Sequence, residues 1–397
     1  MSRVSTEFGI KEKLLLSIGV PCVILAILEV LAQLLVWCGV GGPPVRQPTA
    51  MEMPTWMLRD ANALARAKPT RDAFEWLSMF VEGDGYRVHL IPHSSKAVKN
   101  TFSLIPYDRE QRYHISANAL GFRGPLLAPN KSPNTLRVLV FGDSSSFGWG
   151  VNVEDSWWSI LQRSLQQHYP EKVVEIANFA IPGDSSAYGK LIFDTFASRF
   201  QSDAVILGFG ANDAKGVFTS HTEQVSKFTD KRSLLKIAGA LEKSALVSLS
   251  KTLMRTRMSG QGKPPPEQLI PAVSVEDYGS NMVAMGRSAM ELGNQKVVFL
   301  GLCIHPSYAR KARQAAKDNG FEWFNGQSQL LKLLPQIQKK EVYAEYVDRM
   351  EQRYPAELKN NRVFYVTSDG CHPNELGHRY VADQLTRVLT RTPWQDD

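Results

Sequence analysis

The sequence predicts an α/β protein: a parallel sheet with helices on both faces, preceded by one transmembrane helix. Three observations carry that reading. Short apolar runs of strand length recur at 136–141, 173–177, 204–209, 297–302 and 363–366. Helical patterns separate them, and strands that alternate with helices pair in parallel and are covered on both sides. A further apolar run at 14–40 is 27 residues long, more than the roughly 20 that cross a bilayer.

Composition and charge narrow the classes. The 397 residues have room for more than one domain, and 43% of them are hydrophobic, as in ordinary globular chains. The net charge is +7, and segment 227–263 alone carries nine Lys or Arg against Asp230 and Glu242, nine minus two, which is the whole excess. The rest of the chain is neutral, which argues against a nucleic-acid binder with a broad basic face.

In chain order, residues 1–13 form a short N-terminus containing Arg3, Lys11 and Lys13. In the run 14–40, sixteen Leu, Ile and Val residues contribute roughly −5 to −10 kcal/mol toward insertion, against about 2.5–3.5 kcal/mol for Glu29. The run is too long for a cleaved signal peptide. Fewer basic residues follow it, Arg46 and Arg59 being the nearest, so a cytoplasmic N-terminus and a periplasmic bulk are expected, anchored in the inner membrane. Gly41-Gly42-Pro43-Pro44 breaks the helix. Residues 41–116 are expected to be a linker and a small helical and β-rich lead-in, with Trp56, Trp76 and an alternating stretch from Tyr86 to Ile91. Residues 118–124 read as a turn packed on the following domain, which occupies 117–397.

Within that domain Trp157, Trp158, Ile160, Leu161 and Leu165 recur at helical spacing. Ser274-Val275-Glu276-Asp277 resembles a capping box, and the helix it opens should stop at Gly293. Two insertions, 214–272 and 305–360, leave from carboxyl strand ends beside the substrate cleft. The first carries a helical stripe, Leu234, Ile237, Ala238, Leu241, Ala245, Leu249 and Leu253, with Lys and Arg opposite. This basic element, 227–263, either caps the domain with a solvated face or touches a membrane surface or an anionic polymer. The second insertion is expected to be helical. Of the four cysteines, Cys22 and Cys38 fall in the apolar run, while Cys303, after a strand run, and Cys371, beside His372, could lie close enough to bridge, with two buried free thiols the expected state. No cysteine or histidine spacing fits a structural metal.

The chemistry-bearing residues follow the apolar runs. Gly142-Asp143-Ser144, with Gly148 beyond, ends the first. A strand that stops at a small residue and enters a polar turn presents a hydroxyl at the carboxyl edge of the sheet, where ligands of open α/β sheets bind. Ser144 is the candidate nucleophile, and it needs a base. Its own N–H, at a helix start, can help hold an oxyanion. Ser145 and Ser146 fall deeper into the turn. Gly183 closes the stretch from Asn178 that follows the second run; without a Cβ, its N–H can approach a substrate oxygen closely. Asn212, in Gly210-Ala211-Asn212-Asp213, offers a side-chain amide to the same oxygen, while Asp213 reads as a loop holder. In Asp369-Gly370-Cys371-His372-Pro373, His372 is the candidate base and Asp369, three residues earlier, can orient it. His378 is a competitor, but it falls within the next helical pattern, where a surface position is expected.

Taken together, in the order Ser, Gly, Asn, Asp/His, these blocks resemble the SGNH hydrolases, also called the GDSL family. The resemblance covers roughly residues 135–393, with Ser145 standing where the family signature has leucine. It implies a flavodoxin-like three-layer α/β/α sandwich with a five-stranded parallel sheet and ester hydrolysis without metal or cofactor. It further implies that Ser144 attacks, His372 is the base, Asp369 orients it, and Ser144 N–H, Gly183 N–H and the Asn212 side chain form the oxyanion hole. The expected function is a membrane-anchored serine esterase that removes an acetyl or short acyl group from a glycan or lipid. O-acyl transfer to an extracytoplasmic polysaccharide is the alternative, and a non-catalytic binding module the third reading.

Overall fold

The computed structural model describes residues 19–37, 76, 79–82, 88–99, 112–217, 219–230, 269–330, 341–353, 361–366 and 370–394. The chain divides into two units, Met1–Gln47 with Phe228–Gln268, and Pro48–Lys227 with Leu269–Asp397. The first unit contributes helix α1, Val20–Trp37. Its apolar side chains face outward: Val23, Ile24, Leu25, Ile27 and Val30 are each more than half exposed. Gln33 Nε2 donates to Glu29 Oε1 at 3.2 Å, so the two polar side chains of the run meet one turn apart. Eighteen residues rise about 27 Å, short of the roughly 30 Å of bilayer hydrocarbon. Among the described residues no helix is long and apolar enough to cross a membrane. Residues 14–18 and 38–40 of the expected span lie outside the described residues, as does the basic stripe from Leu234 to Leu253.

The second unit opens with two small antiparallel pairs, β1 (Phe80–Glu82) with β2 (Val88–Leu90) and β3 (Ser95–Lys99) with β4 (Arg112–Ser116). They pack through Met79, Leu90, Val98, Tyr113 and Ile115 against Phe147, Trp149 and Ala180 of the following domain. The lead-in is thus joined to the domain by apolar contact, and its expected beginning, residues 45–75, lies outside the described residues.

Thereafter the chain alternates. Strand β5 (Thr135–Gly142) leads to the short helix α2 (Ser144–Phe147) and to α3 (Trp157–His168); β6 (Val173–Asn178) leads to α4 (Ser186–Phe196), and β7 (Ala204–Gly208) follows. Between β7 and the next sheet strand come β8 (Gly216–Val217), α5 (His221–Asp230), β9 (Ile270–Pro271) and α6 (Val275–Glu291). Then β10 (Lys296–Leu300), α7 (Pro306–Asn319), β11 (Glu322–Phe324), α8 (Ala344–Arg353) and α9 (Glu375–Thr390) complete the domain.

The five-stranded sheet has the order β11-β10-β7-β5-β6, and every neighbouring pair is parallel. Counted in chain order this is the doubly wound arrangement 2-1-3-4-5, whose reversal point lies between its first and third strands. Here those strands are β5 and β7. All eight residues of β5 are buried, and they alternate between faces as strand geometry requires. Leu136, Val138 and Val140 pack against α3 and α9; Leu139 and Phe141 pack against α4, α6 and α7. Each large apolar side chain so buried contributes about 1.5–3 kcal/mol, and the result is the expected helix–sheet–helix layering. Ser274 caps α6 as the sequence predicts, its hydroxyl accepting from Asp277 N–H at 3.0 Å, and the left-handed Gly293 (φ 92°) follows the helix end.

Two expectations are corrected. The fifth strand is β11, not 363–366, so 305–360 is not an insertion but begins with the helix and strand that complete the sheet. Residues Asn361–Phe364 form a 3-10 turn, and Tyr365 makes one isolated bridge to Pro373. Val363, Phe364, Tyr365 and Val366 are apolar because they are buried, without belonging to the sheet.

Candidate active site

The nucleophile turn is fixed by its smallest residues. A Cβ on Gly142 would stand 2.4 Å from Ser146 Oγ and 2.7 Å from the Gly208 carbonyl, so only glycine lets the chain fold back on the end of β7. Asp143 caps α2: its Oδ1 accepts from Ser145 N–H at 2.9 Å and from the Ser145 hydroxyl at 2.6 Å. Gly148, left-handed at φ 82°, ends the helix after one turn. Ser145 is therefore spent on its own cap and Ser146 is tucked under the sheet edge, as their depth in the turn predicts. Ser144 Oγ lies 2.8 Å from His372 Nε2, and both residues are buried. With the proton of the imidazole on Nδ1, the Ser144 hydroxyl donates to Nε2.

The loop of the base is built on the 363–366 segment. Val366 N–H donates to the His372 carbonyl at 2.9 Å, and Asn374 N–H donates to the Phe364 carbonyl at 2.8 Å. Asn374 then caps α9 through Gly377 N–H. Asp369, the expected orienting residue, lies outside the described residues. His378 is not on the surface. It is fully buried, its Nδ1 accepts from Trp157 N–H at 3.1 Å, and burial pushes its pKa down to about 3, so it is a neutral packing residue between α9 and α3. Helical periodicity put it in α9, but not on which face.

Asn212 and Gly183 come to the same edge on adjacent loops. Asn212 Nδ2 donates one hydrogen to the Asp184 carbonyl at 3.0 Å, which fixes the amide and leaves its second hydrogen. Gly183 has φ 83°, the left-handed conformation that a residue with Cβ resists, in a turn closed by Asp184 N–H to the Ile181 carbonyl. Asp213 accepts from Ser186 N–H and from the Ser186 hydroxyl and so holds the loop, as predicted.

Burial drives the pKa of Asp143 up to about 7 and that of Asp213 up to about 6. A raised carboxylate favours the fold while protonated, so this contribution is complete below the ordinary aspartate range and is lost as pH rises through about 7 for Asp143. Asp143→Asn keeps the acceptor for Ser145 and removes the ionisation. Its Tm is expected to change less between pH 4 and pH 7 than that of the unmodified chain, in thermal melts across that range; parallel curves would refute the assignment.

One expectation is corrected and one residue is new. Cys303 and Cys371 are not free thiols but form a disulfide, with Cα atoms 4.6 Å apart. The less favoured of the two sequence readings is the one formed, because the shared sheet edge brings together loops 68 residues apart. Arg123, at the end of the 118–124 turn, is fully buried and donates to four main-chain carbonyls, those of Phe147, Gly148, Val151 and His114. The first two are the end of α2, so this guanidinium holds the nucleophile turn. The one signal is a charged residue between Phe122 and Gly124 in a turn otherwise made of Asn118, apolar side chains and glycine.

Residues 140–380 match the model of the GDSL-like lipase/acylhydrolase family. The chain belongs to that family. It is a family of carboxylic ester hydrolases, and the matched span holds the Ser144–His372 contact and all three oxyanion candidates, Ser144, Gly183 and Asn212. An arylesterase of Vibrio mimicus is 33% identical over 106 residues, 26% of this chain and 50% of that protein, so the chain spans about half the length of this curated relative. Among solved structures, a lipase/acylhydrolase from Enterococcus faecalis is 15% identical, with 66% of this chain and 100% of that one covered at a TM-score of 0.37. A psychrotrophic esterase from Pseudoalteromonas is 13% identical, with 65% and 97% covered at a TM-score of 0.36.

Proposed function

We propose that the chain is a serine esterase of this family acting through Ser144, His372 and Asp369. The observation that carries the reading is the 2.8 Å contact between Ser144 Oγ and His372 Nε2 at the switch point of the sheet. Ser144 Oγ attacks the ester carbonyl carbon while His372 Nε2 takes its proton. The oxyanion is met by Ser144 N–H, Gly183 N–H and the second amide hydrogen of Asn212, donors worth about 2.7–4 kcal/mol each in comparable sites. His372 then protonates the departing alcohol, leaving an acyl-enzyme that water cleaves with His372 again as base. Asp369 holds the imidazole tautomer. Trp149, its ring centroid 6.5 Å from that of His372, is buried and packs beside the base, and the acyl group removed is taken to be acetyl or another short chain on a glycan or lipid.

The same reading includes attachment to the inner membrane through 14–40, with the catalytic unit on the periplasmic side. The outward apolar side chains of α1 support a lipid environment, and the Cys303–Cys371 disulfide supports an oxidising compartment. The test is covalent labelling of the full chain in detergent with a fluorophosphonate, read by peptide mass spectrometry. The adduct is expected on Ser144, with none on Ser145 or Ser146, together with hydrolysis of a short-chain aryl ester. An unlabelled Ser144 in folded protein would end the esterase reading.

A further inference from the structure

The base stands on a loop that two neighbouring bridges grip. Gln327, just past β11, accepts from Ile304 N–H through Oε1 at 3.1 Å and donates to the Gly370 carbonyl through Nε2 at 3.1 Å. Its own N–H donates to the Gly301 carbonyl at 3.0 Å, which anchors it to the end of β10. One residue along on each side, the Cys303–Cys371 disulfide joins the same two loops covalently. His372 is the next residue, and its carbonyl accepts from Val366 N–H. Gly370, left-handed at φ 70°, makes the bend that brings the segment under both bridges.

We infer that Gln327 and the Cys303–Cys371 disulfide are positioning residues that keep His372 at hydrogen-bond distance from Ser144, so that reduction of the disulfide slows the reaction. The inference rests on the esterase reading above. Cys303 is half-buried whereas Cys371 is buried, so a reductant meets Cys303 Sγ first. A dithiol supplies the electrons: its thiolate attacks Cys303 Sγ and the Cys303–Cys371 bond breaks. The second thiol then displaces Cys303. Two protonated cysteines remain, and the dithiol leaves as its own disulfide. Cut at that point, the loop keeps the Gln327 bonds but loses its covalent length constraint. Displacement of a catalytic group by about 1 Å costs about 10²-fold in rate.

The experiment uses the full chain in a Cys22→Ser, Cys38→Ser background, so that thiol titration reports the pair alone. After treatment of native enzyme with a dithiol, kcat on a short-chain aryl ester is expected to fall about 10²-fold once two thiols are counted, with KM within about twofold and full recovery on reoxidation. Gln327→Leu, which removes both side-chain bonds at similar volume, is expected to lower kcat about tenfold, and Gln327→Glu, which keeps the acceptor for Ile304 but turns a carboxylate oxygen on the Gly370 carbonyl, to lower it at least as much. A merely structural bridge would lower Tm and leave the kcat of folded enzyme unchanged. Unchanged kcat with both thiols free overturns the inference, as does loss of the near-ultraviolet circular dichroism on reduction, which would mean global unfolding. Failure of the esterase reading is separate: the oxidised parent would then take no fluorophosphonate on Ser144.

Discussion

His372→Ala is expected to lower kcat by about 10⁴-fold, with KM nearly unchanged. A serine hydroxyl is a poor nucleophile until its proton has somewhere to go, and His372 Nε2, 2.8 Å away, is the acceptor that the fold supplies. A positioned base is worth about 10²–10⁴-fold, and here the loss falls at the upper end because the same imidazole must also protonate the leaving alcohol. The base does not hold the substrate before attack, so ground-state binding should survive. Steady-state rates on an aryl ester measure both quantities. The informative control is His378, the other buried histidine near by: its Nδ1 is committed to Trp157 N–H, and it stays neutral through the working pH range. His378→Gln should cost stability while folded enzyme keeps its kcat. If the two variants exchanged behaviours, the base would have been assigned to the wrong residue.

That contrast shows what linear sequence carries. The runs that became β5, β6, β7 and β10 are legible because strands covered on both faces are mostly apolar, the exceptions Arg137 of β5 and Glu175 of β6 pairing with each other. The blocks after the first three place Ser144, Gly183 and Asn212 at one carboxyl edge before any coordinates are known. Strand β11 is missed because its three residues, Glu322, Trp323 and Phe324, are too few to show a strand-length apolar run. The 363–366 run misled for the converse reason. Burial under the base loop writes the same apolar pattern as pairing does, and hydropathy does not separate the two. The choice between free thiols and a disulfide, and the role of Gln327, depend on two loops meeting across the sheet edge, a fact of topology that position near a strand end suggests for the cysteines and does not suggest for Gln327. Arg123 is the sharpest case, since a lone arginine in a turn reads as solvated, and only the structure reveals the carbonyls that surround it.

Those carbonyls make Arg123→Met the substitution with the largest expected effect on the fold. The guanidinium is fully buried, and burial lowers its pKa to about 10, yet it remains a cation with donors spread over two nitrogens. Nη1 reaches the carbonyls of Phe147 and Gly148 at 3.1 and 2.5 Å; Nη2 reaches those of His114 and Val151 at 2.8 and 2.7 Å. Methionine fills most of the volume and offers no donor, so four acceptors lose a partner, at about 1–3 kcal/mol for each that water does not reach. Removing a desolvated charge returns part of that cost, and the net expectation is about 3–5 kcal/mol, as when one partner of a buried ionic contact is deleted. Against a total stability of about 5–15 kcal/mol, much of the folded margin would go. Arg123→Lys should fall between, because a single ammonium cannot span both carbonyl pairs. Urea denaturation should therefore order the midpoints as Arg above Lys above Met. In the folded lysine variant kcat should also drop, since the carbonyls it fails to hold end the helix that carries Ser144. A methionine variant with the parent's midpoint would mean that the four contacts are geometrically present but energetically silent, and that the nucleophile turn is held by Asp143 and the glycines alone.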